Sequence, residues 1–194
     1  SGTRSPPDAG PAPPAAYPGA VTDATAHLDA LTRVIPDFPE PGILFRDLTP
    51  VFADGVAFAA VTDALVAPFA GTFDVIAGVE ARGFALAAAA AARSGHGLLL
   101  IRKAGKLPGA TLSESYALEY GEATLQVHAD QLAAGTRVLL VDDVLATGGT
   151  LGASQRLIER AGWSLAGTAV VLELDGLGGR ERLAPNEVLA LQRA

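Results

Sequence analysis

Two adjacent acids and a glycine-rich turn follow an apolar run in the second half of the chain. The run extends from Val138 to Val141, the acids are Asp142 and Asp143, and the turn is formed by residues 146–150. Four consecutive apolar residues favour a strand that is buried on both faces, and a helical pattern begins after the turn. A strand, a turn and a helix in this order create a ligand site at the carboxyl end of the strand.

The turn suits a phosphate group, whereas the acids suit hydroxyl groups. Glycines let the backbone approach an anion closely, and a helix N-terminus presents free N–H groups at the positive end of its dipole. Carboxylates would repel a phosphate, so Asp142 and Asp143 suit the cis diol of a ribose or a hydrated metal ion instead. The sequence therefore predicts a phosphorylated sugar as the ligand.

Other nucleotide-binding motifs fit this segment less well. A P-loop requires a lysine directly after its last glycine, and Thr150 follows Gly149 here. A dinucleotide fingerprint places its acid about 20 residues after the glycines, whereas Asp142 and Asp143 precede them. Both of these nucleotide-binding classes are therefore disfavoured.

The segment resembles the phosphoribosyl diphosphate (PRPP) binding motif of the type I phosphoribosyltransferases. Residues 35–47, 78–84, 102–108 and 115–121 resemble the branch of that family that uses adenine, and the resemblance covers roughly residues 24 to 191. It implies an α/β fold with a central, mainly parallel sheet flanked by helices and with a hairpin or lid. The alternation of predicted strands and helices along the chain agrees with such a sheet.

The resemblance implies an enzyme of purine salvage that transfers ribose 5-phosphate from PRPP to adenine, giving AMP and pyrophosphate. Mg²⁺ would be the cofactor, bound by PRPP oxygens and water and by no direct protein ligand. The ribose ring would gain oxocarbenium character in this transfer. The protein must then hold the sugar phosphate, stabilise the leaving pyrophosphate and orient the base.

The first two tasks have candidate residues by resemblance. Asp142 and Asp143 would bind the ribose hydroxyls. The 5-phosphate would be bound by the turn residues, which are Ala146, Thr147, Gly148, Gly149 and Thr150. Cations stabilise the charge that develops on pyrophosphate, and the candidates are Arg82, Arg102, Lys103 and Lys106, of which Arg82 and Lys106 would be catalytic. The alternative is that the cluster in residues 102–106 is a solvated surface.

The base site is also assigned by resemblance. Adenine would lie against Leu44, Phe45 and Arg46, with Val144 as the opposite wall, and Glu119 would be the acid or base that handles a purine proton. The alternatives are that Leu44 and Phe45 belong to the core and that Glu119 is an ordinary solvent-facing residue. A cis peptide bond is expected between Glu80 and Ala81, in the loop before Arg82.

Two other functions are compatible with the motif. One is a phosphoribosyltransferase for hypoxanthine, guanine or xanthine, since the side chains alone do not decide between a 6-amino and a 6-oxo group. The other is a PRPP-sensing regulator, which would need a basic DNA-binding module. Residues 1–20 contain a single arginine and do not provide such a module.

Composition limits the class of protein. The chain has 194 residues, of which 49% are hydrophobic and 18% charged, which predicts one globular domain over residues 22–194 after a disordered, proline-rich tail over residues 1–21. The net charge of −7 argues against nonspecific nucleic-acid binding. The chain has no cysteine, and no apolar run approaches the roughly 18 to 20 residues that cross a bilayer. We therefore expect a cytoplasmic enzyme with small-molecule substrates, and a homodimer joined near residues 102–106.

Several elements follow from periodicity and from breakers. The apolar spacing of Leu28, Leu31, Val34 and Ile35 predicts a first helix that ends at Pro36, and Asp54 is a candidate cap for a helix that extends to about Ala70. Strands are predicted over residues 73–79, 98–101, 138–141, 165–174 and 188–191, and helices over 83–93 and 150–161. Residues 102–114 are predicted to be a mobile loop, with a lid over 104–114, before a hairpin that turns at Gly121.

Overall fold

The computed structural model describes residues 20–117 and 121–194. The first helix begins at Ala20, two residues before the predicted start of the domain. Most of the predicted tail, residues 1–19, and the candidate acid or base Glu119 lie outside the described residues. The domain boundary and the role of Glu119 therefore stay predictions.

The described residues form a series of helices and strands. In chain order the elements are α1 (Ala20–Leu31), β1 (Arg33–Pro36), β2 (Leu44–Asp47), α2 (Thr49–Ala53), α3 (Gly55–Val66), β3 (Val75–Val79), α4 (Arg82–Ser94), β4 (Gly97–Lys103), β5 (Thr111–Ala117), β6 (Glu122–His128), β7 (Arg137–Leu145), α5 (Gly149–Arg160), β8 (Ser164–Glu173), α6 (Gly179–Leu183) and β9 (Val188–Arg193). None of the helices in this part of the chain has the length and hydropathy that crossing a bilayer requires.

A seven-stranded sheet forms the centre of the molecule. Its strand order is β5-β6-β4-β3-β7-β8-β9, and β1 and β2 form a separate antiparallel pair. The five strands from β4 to β9 in this order are parallel to their neighbours, whereas the β5–β6 hairpin joins β4 antiparallel at one edge. The predicted α/β fold with a mainly parallel sheet and a hairpin is therefore confirmed.

Each face of the sheet is covered by helices. Leu139 and Val141 of β7 pack into the core beneath α1, α3 and α4, whereas Val138 and Leu140 pack into the core beneath α5. All four side chains are fully buried. The prediction that this run is a strand buried on both faces is confirmed, and the two cores fix the end of β7 firmly in space.

Local signals for helix ends also hold. The Asp54 carboxylate accepts hydrogen bonds from the N–H groups of Val56 and Ala57, both at 2.9 Å, and so caps α3 as predicted. Gly95 adopts a left-handed conformation and ends α4, which glycine does at low cost. Both assignments depend on neighbouring residues alone.

The prediction that Val34 and Ile35 continue the first helix is wrong. Helix α1 ends at Leu31, and both residues lie in β1, where Ile35 is paired with Phe45 of β2. Pro36 favours an extended conformation at the residue before it, and pairing with β2 satisfies the extended backbone. The apolar spacing that suggested a helix leaves Val34 about half exposed, at 49%.

The predicted mobile loop over residues 102–114 is too long. Arg102 and Lys103 complete β4, and residues 111–117 form β5 along the full length of β6. Only the turn over residues 104–110 lies between the strands, and the Gln126 side chain accepts a hydrogen bond from the Gly105 N–H at 3.0 Å. Pairing with β6, which is distant in sequence, orders the segment. A lid stays a prediction for the turn alone.

Candidate active site

A cavity of about 340 Å³ lies at the carboxyl ends of β3 and β7. It is lined by Glu80, Ala81 and Arg82 after β3, by the continuous segment 142–151 from β7 into α5, and by Lys103 and Tyr116. The predicted ribose residues, the predicted phosphate turn and Arg82 therefore surround one space. Parallel strands bring these segments together because their carboxyl ends meet at the same edge of the sheet.

Asp142 and Asp143 are the last acidic residues inside β7 rather than residues that follow it. Both are buried, and the Asp143 N–H donates a hydrogen bond to Asp142 Oδ1 at 2.9 Å. Burial, and next the charge of Asp143, raise the pKa of Asp142 well above its ordinary value. Burial and the neighbouring charge thus disfavour the ionised carboxylates, and hydroxyl groups that donate hydrogen bonds would stabilise them.

Arg82 is the only described arginine that forms an ion pair with this carboxylate pair. It is the first residue of α4, and its Nε lies 2.6 Å from Asp143 Oδ2. The peptide bond between Glu80 and Ala81 is cis, as predicted. The Arg82 side chain is 48% exposed, so it can reach both the acid and a ligand in the cavity.

The phosphate turn leads into the N-terminus of α5, where the first N–H groups have no partner within the helix. Gly148 adopts a left-handed conformation (φ 76°) before α5, and no side chain caps the helix at this position. A Cβ added at Gly148 would lie 2.7 Å from the Gly179 carbonyl oxygen, and one added at Gly179 would lie 2.1 Å from the carbonyl oxygen of Ala146. The turn before α6 therefore packs directly behind the phosphate turn, a role that the sequence did not reveal.

Two further side chains that the sequence did not single out contact the phosphate turn. The Tyr116 hydroxyl lies 3.0 Å from Thr150 Oγ1, and Arg182 donates to the Thr147 carbonyl at 3.3 Å. Both also line a second cavity of about 280 Å³, which shares Tyr116 and part of the turn with the first. Tyr116 lies in residues 115–121, which resemble the family, and this resemblance could have identified it. No feature of the sequence indicated a role for Arg182.

The predicted pyrophosphate cations are only partly brought together. Lys103 lines the cavity, whereas Lys106 is exposed in the turn over residues 104–110 and does not line it. Arg102 is held by Glu80, with 3.1 Å between Arg102 Nε and Glu80 Oε2. The same oxygen accepts a hydrogen bond from the Lys103 N–H, which, ahead of the Arg102 contact, lowers the pKa of Glu80. Glu80 thus organises this end of β4.

The predicted adenine residues lie on two separate parts of the molecule. Val144 lines the cavity, whereas Leu44, Phe45 and Arg46 of β2 do not. Leu44 is 60% exposed, which argues against a place in the core, and the Phe45 ring packs edge-on against Phe38 at 5.1 Å between centroids.

The pKa of Asp47, at the end of β2, responds to a charge at the cavity. Hydrogen bonds from Thr49 lower the pKa of Asp47, the last residue of β2, and the charges of Arg33 and Arg82 lower it further. Arg82 lines the cavity, so one charge at the cavity acts on this end of β2. The base assignment of Leu44, Phe45 and Arg46 stays a prediction.

Within residues 20–117 and 121–194, no three His, Cys, Asp or Glu side chains gather into a group that could hold a metal ion. The carboxylates at the cavity are Glu80, Asp142 and Asp143, and Glu80 is engaged by β4. This donor set fits a hydrated Mg²⁺ that a phosphorylated ligand carries, because Mg²⁺ keeps several waters and few protein ligands in such sites.

Comparisons with known proteins agree with the geometry. The family model of the phosphoribosyl transferase domain matches residues 51–187. The adenine phosphoribosyltransferase of Clavibacter michiganensis subsp. michiganensis is 64% identical over 170 residues, which cover 88% of this chain and 97% of that protein.

Solved structures give the same result. The crystal structure of adenine phosphoribosyltransferase from Thermoanaerobacter pseudethanolicus superimposes with a TM-score of 0.83 at 43% identity, covering 88% of this chain and 99% of that chain. The Saccharomyces cerevisiae adenine phosphoribosyltransferase, crystallised with adenine and an imino-altritol bisphosphate, gives a TM-score of 0.83 at 35% identity. The match covers 88% of this chain and 99% of the yeast chain.

Proposed function

The chain belongs to the phosphoribosyltransferase family, among the adenine phosphoribosyltransferases, and we infer that it transfers ribose 5-phosphate from PRPP to N9 of adenine. The products are AMP and pyrophosphate, and the reaction is a step of purine salvage. The observation that carries this conclusion is that one cavity is lined by two buried carboxylates, the glycine-rich turn and Arg82.

We propose that Asp142 and Asp143 accept hydrogen bonds from the ribose 2′- and 3′-hydroxyls. Their burial and mutual repulsion support this role, because two donors from the ligand would add to the stabilisation that Arg82 gives to Asp143. The N–H groups of residues 146–150, with the hydroxyls of Thr147 and Thr150, would bind the 5-phosphate. The ribose is thereby fixed at both ends while its C1 bond breaks.

We propose that Arg82 and Lys103 stabilise the leaving pyrophosphate. Arg82 is half exposed and can turn from Asp143 toward the leaving group, and Lys103 already lines the cavity. Arg102 would first have to leave Glu80, and Lys106 would have to swing in from the turn over residues 104–110. Each charge that meets the leaving group lowers the barrier, because the pyrophosphate gains negative charge as the bond breaks.

We propose that adenine lies between Val144 and the segment Leu44–Arg46, with its edge read by backbone groups. The exposure of Leu44 is compatible with this role, since its apolar side chain is free to cover a flat base. Glu119, which lies outside the described residues, would handle the purine proton.

Three further properties are proposed for the enzyme. Mg²⁺ would enter with PRPP and neutralise part of the pyrophosphate charge, which fits the donor set at the cavity. A homodimer joined near residues 102–106 would place these cations at a subunit boundary, and light scattering at working concentration would test it. The cytoplasmic location expected from the sequence can be tested by fractionation of the producing cell.

The function is tested by a panel of adenine, hypoxanthine, guanine and xanthine with PRPP and Mg²⁺. We expect adenine to have the highest kcat/KM, with AMP and pyrophosphate formed in equal amounts. Faster turnover of a 6-oxopurine would keep the phosphoribosyl transfer and refute the adenine assignment. Absence of transfer to any of the four bases would refute the proposed reaction itself.

A further inference from the structure

Tyr116 joins the hairpin to the phosphate turn through two contacts. It lies on β5, 34 positions before Thr150 in sequence, and its hydroxyl is 3.0 Å from Thr150 Oγ1. Its ring covers the preceding glycine, because a Cβ added at Gly149 would lie 3.0 Å from the ring. One side chain thus contacts two consecutive residues of the turn.

We propose that Tyr116 is a positioning residue that fixes the Thr150 hydroxyl for the 5-phosphate of PRPP and links the β5–β6 hairpin to that phosphate. The inference rests on the proposed function, because it takes residues 146–150 as the phosphate site. It adds a residue that does not itself bind the reacting atoms and that acts through Thr150.

The protons of the two hydroxyls explain the effect. Each hydroxyl has one proton to donate and lone pairs to accept. In the structure Thr150 Oγ1 donates to the Tyr116 oxygen. A phenol is a stronger donor than an aliphatic alcohol, so we expect a bound phosphate to reverse this bond: Tyr116 then donates to Thr150 Oγ1, and the Thr150 proton points to a phosphate oxygen. A chain of hydrogen bonds in one direction polarises each member and strengthens the last bond.

Without the tyrosine hydroxyl, Thr150 loses the hydrogen bond that fixes the direction of its own hydroxyl. The hydroxyl could then rotate about the Cα–Cβ bond between staggered positions. Tyr116 therefore keeps the Thr150 hydroxyl directed into the cavity.

The same contact connects the phosphate to the cation-bearing strand. β5 pairs with β6 along its length, and β6 pairs with β4 at Arg102 and Lys103. Lys103 lines the cavity on the side where pyrophosphate would leave. A phosphate that tightens Thr150 against Tyr116 would therefore also tighten the hairpin that borders Lys103.

The test is Tyr116→Phe, which keeps the ring on Gly149 and removes only the hydroxyl. We expect the KM for PRPP to rise about three- to tenfold, as for the loss of one uncharged hydrogen bond. The KM for adenine and kcat should change less than twofold, and the melting temperature should stay the same. The matched control is Ser115→Ala, which removes a neighbouring hydroxyl that bonds Thr124 Oγ1 at 2.8 Å within the hairpin. It should leave every parameter unchanged.

A double-mutant cycle with Thr150→Val separates the possible outcomes. If Tyr116 acts through Thr150, the double variant should have nearly the same KM for PRPP as Thr150→Val alone. Three results would overturn the inference. They are additive effects in the double variant, an unchanged KM for PRPP in Tyr116→Phe, and a rise in that KM accompanied by a clear fall in melting temperature. Ribose 5-phosphate binding by the unmodified enzyme, measured by calorimetry, tests the proposed function separately, because its absence would refute the phosphate site whatever Tyr116 does.

Discussion

Strands β3 and β7 have an ion pair at each end, and the two pairs differ in burial and in charge balance. At the amino end, Arg137 meets Asp74 with its backbone N–H at 2.9 Å and its Nε at 3.0 Å, and both side chains are 46% exposed. These bonds lower the pKa of Asp74 to about 2. At the carboxyl end, Arg82 faces two acids that are almost completely buried, and the pKa of Asp142 is raised.

The difference separates a stabilising pair from a ligand site. At the amino end each charge has its partner, and folding favours the ionised carboxylate. At the carboxyl end negative charge exceeds positive charge, and burial of Asp142 opposes its ionisation. A folded chain gains nothing by keeping such an excess for its own stability, so the carboxyl end is explained by a ligand that supplies donors.

The largest expected effect comes from substituting the arginine at each end of the strands. Arg82→Gln should lower kcat on the order of 10²-fold, at the low end of the range for removal of one charge-stabilising donor, because other cations lie nearby. Arg137→Gln should leave kcat unchanged and lower stability slightly. Steady-state kinetics of both variants provide the measurement. Equal losses of kcat would show that the two ends of the strands do not differ in function.

The second prediction concerns the acids themselves. Asp142→Asn and Asp143→Asn should each lower kcat/KM for PRPP about 10- to 100-fold, since a hydrogen bond to a charged group contributes about 1.5–3 kcal/mol. The melting temperature of Asp142→Asn should not fall, because the neutral amide avoids the cost of a buried charge. Asp74→Asn is the control and should retain full activity. Unchanged PRPP kinetics in both acid variants would refute the ribose assignment.

The carboxyl end could be predicted because its signals are local. The apolar run, the acids and the glycines from residue 138 to 150 are consecutive, and the burial of β7 on both faces follows from its composition alone. The cap at Asp54 and the end of α4 at Gly95 are local for the same reason.

The errors concern segments whose partners are distant in sequence. Ile35 lies in a strand because Phe45 pairs with it, and residues 111–117 are ordered because β6 lies beside them. Tyr116 and Gly179 contact the phosphate turn across about 30 positions of chain, which no local pattern encodes. Leu44 and Phe45 lie outside the lining of the cavity, so their assignment to the base site stays a prediction.

The third prediction tests the packing behind the phosphate turn by adding one carbon atom there. Gly179→Ala would place a Cβ 2.1 Å from the Ala146 carbonyl oxygen, so the phosphate turn or α6 must move. We expect a loss of about 1–3 kcal/mol in the free energy of unfolding, as for overpacking, together with a higher KM for PRPP. Urea denaturation and PRPP kinetics test this.

The control is Gly55→Ala, where an added Cβ meets nothing within 4 Å and the backbone is not left-handed. It should be neutral in both measurements. If Gly179→Ala were equally neutral, the close packing of α6 behind the phosphate turn would be contradicted.

The smallest expected effect concerns the amino end. Asp74→Asn should lower the free energy of unfolding by less than about 1 kcal/mol at neutral pH, because the half-exposed pair is screened by solvent. The folded-state pKa of about 2 lies below the unfolded value of 3.8, so the ionised carboxylate stabilises the fold above pH 3.8. That contribution is lost as the pH falls from 3.8 through 2.

Urea denaturation of both proteins at pH 7 and at pH 3 measures the difference directly. The difference in the free energy of unfolding between the unmodified chain and Asp74→Asn should be full at pH 7 and smaller at pH 3. Protonation at pH 3 removes from the unmodified chain part of the carboxylate charge that the substitution has already removed. A gap that widens toward pH 3 would mean that Asp74 is not held ionised by Arg137. The amino end could then no longer serve as the charge-balanced counterpart of the carboxyl end, since both ends would favour protonated acids.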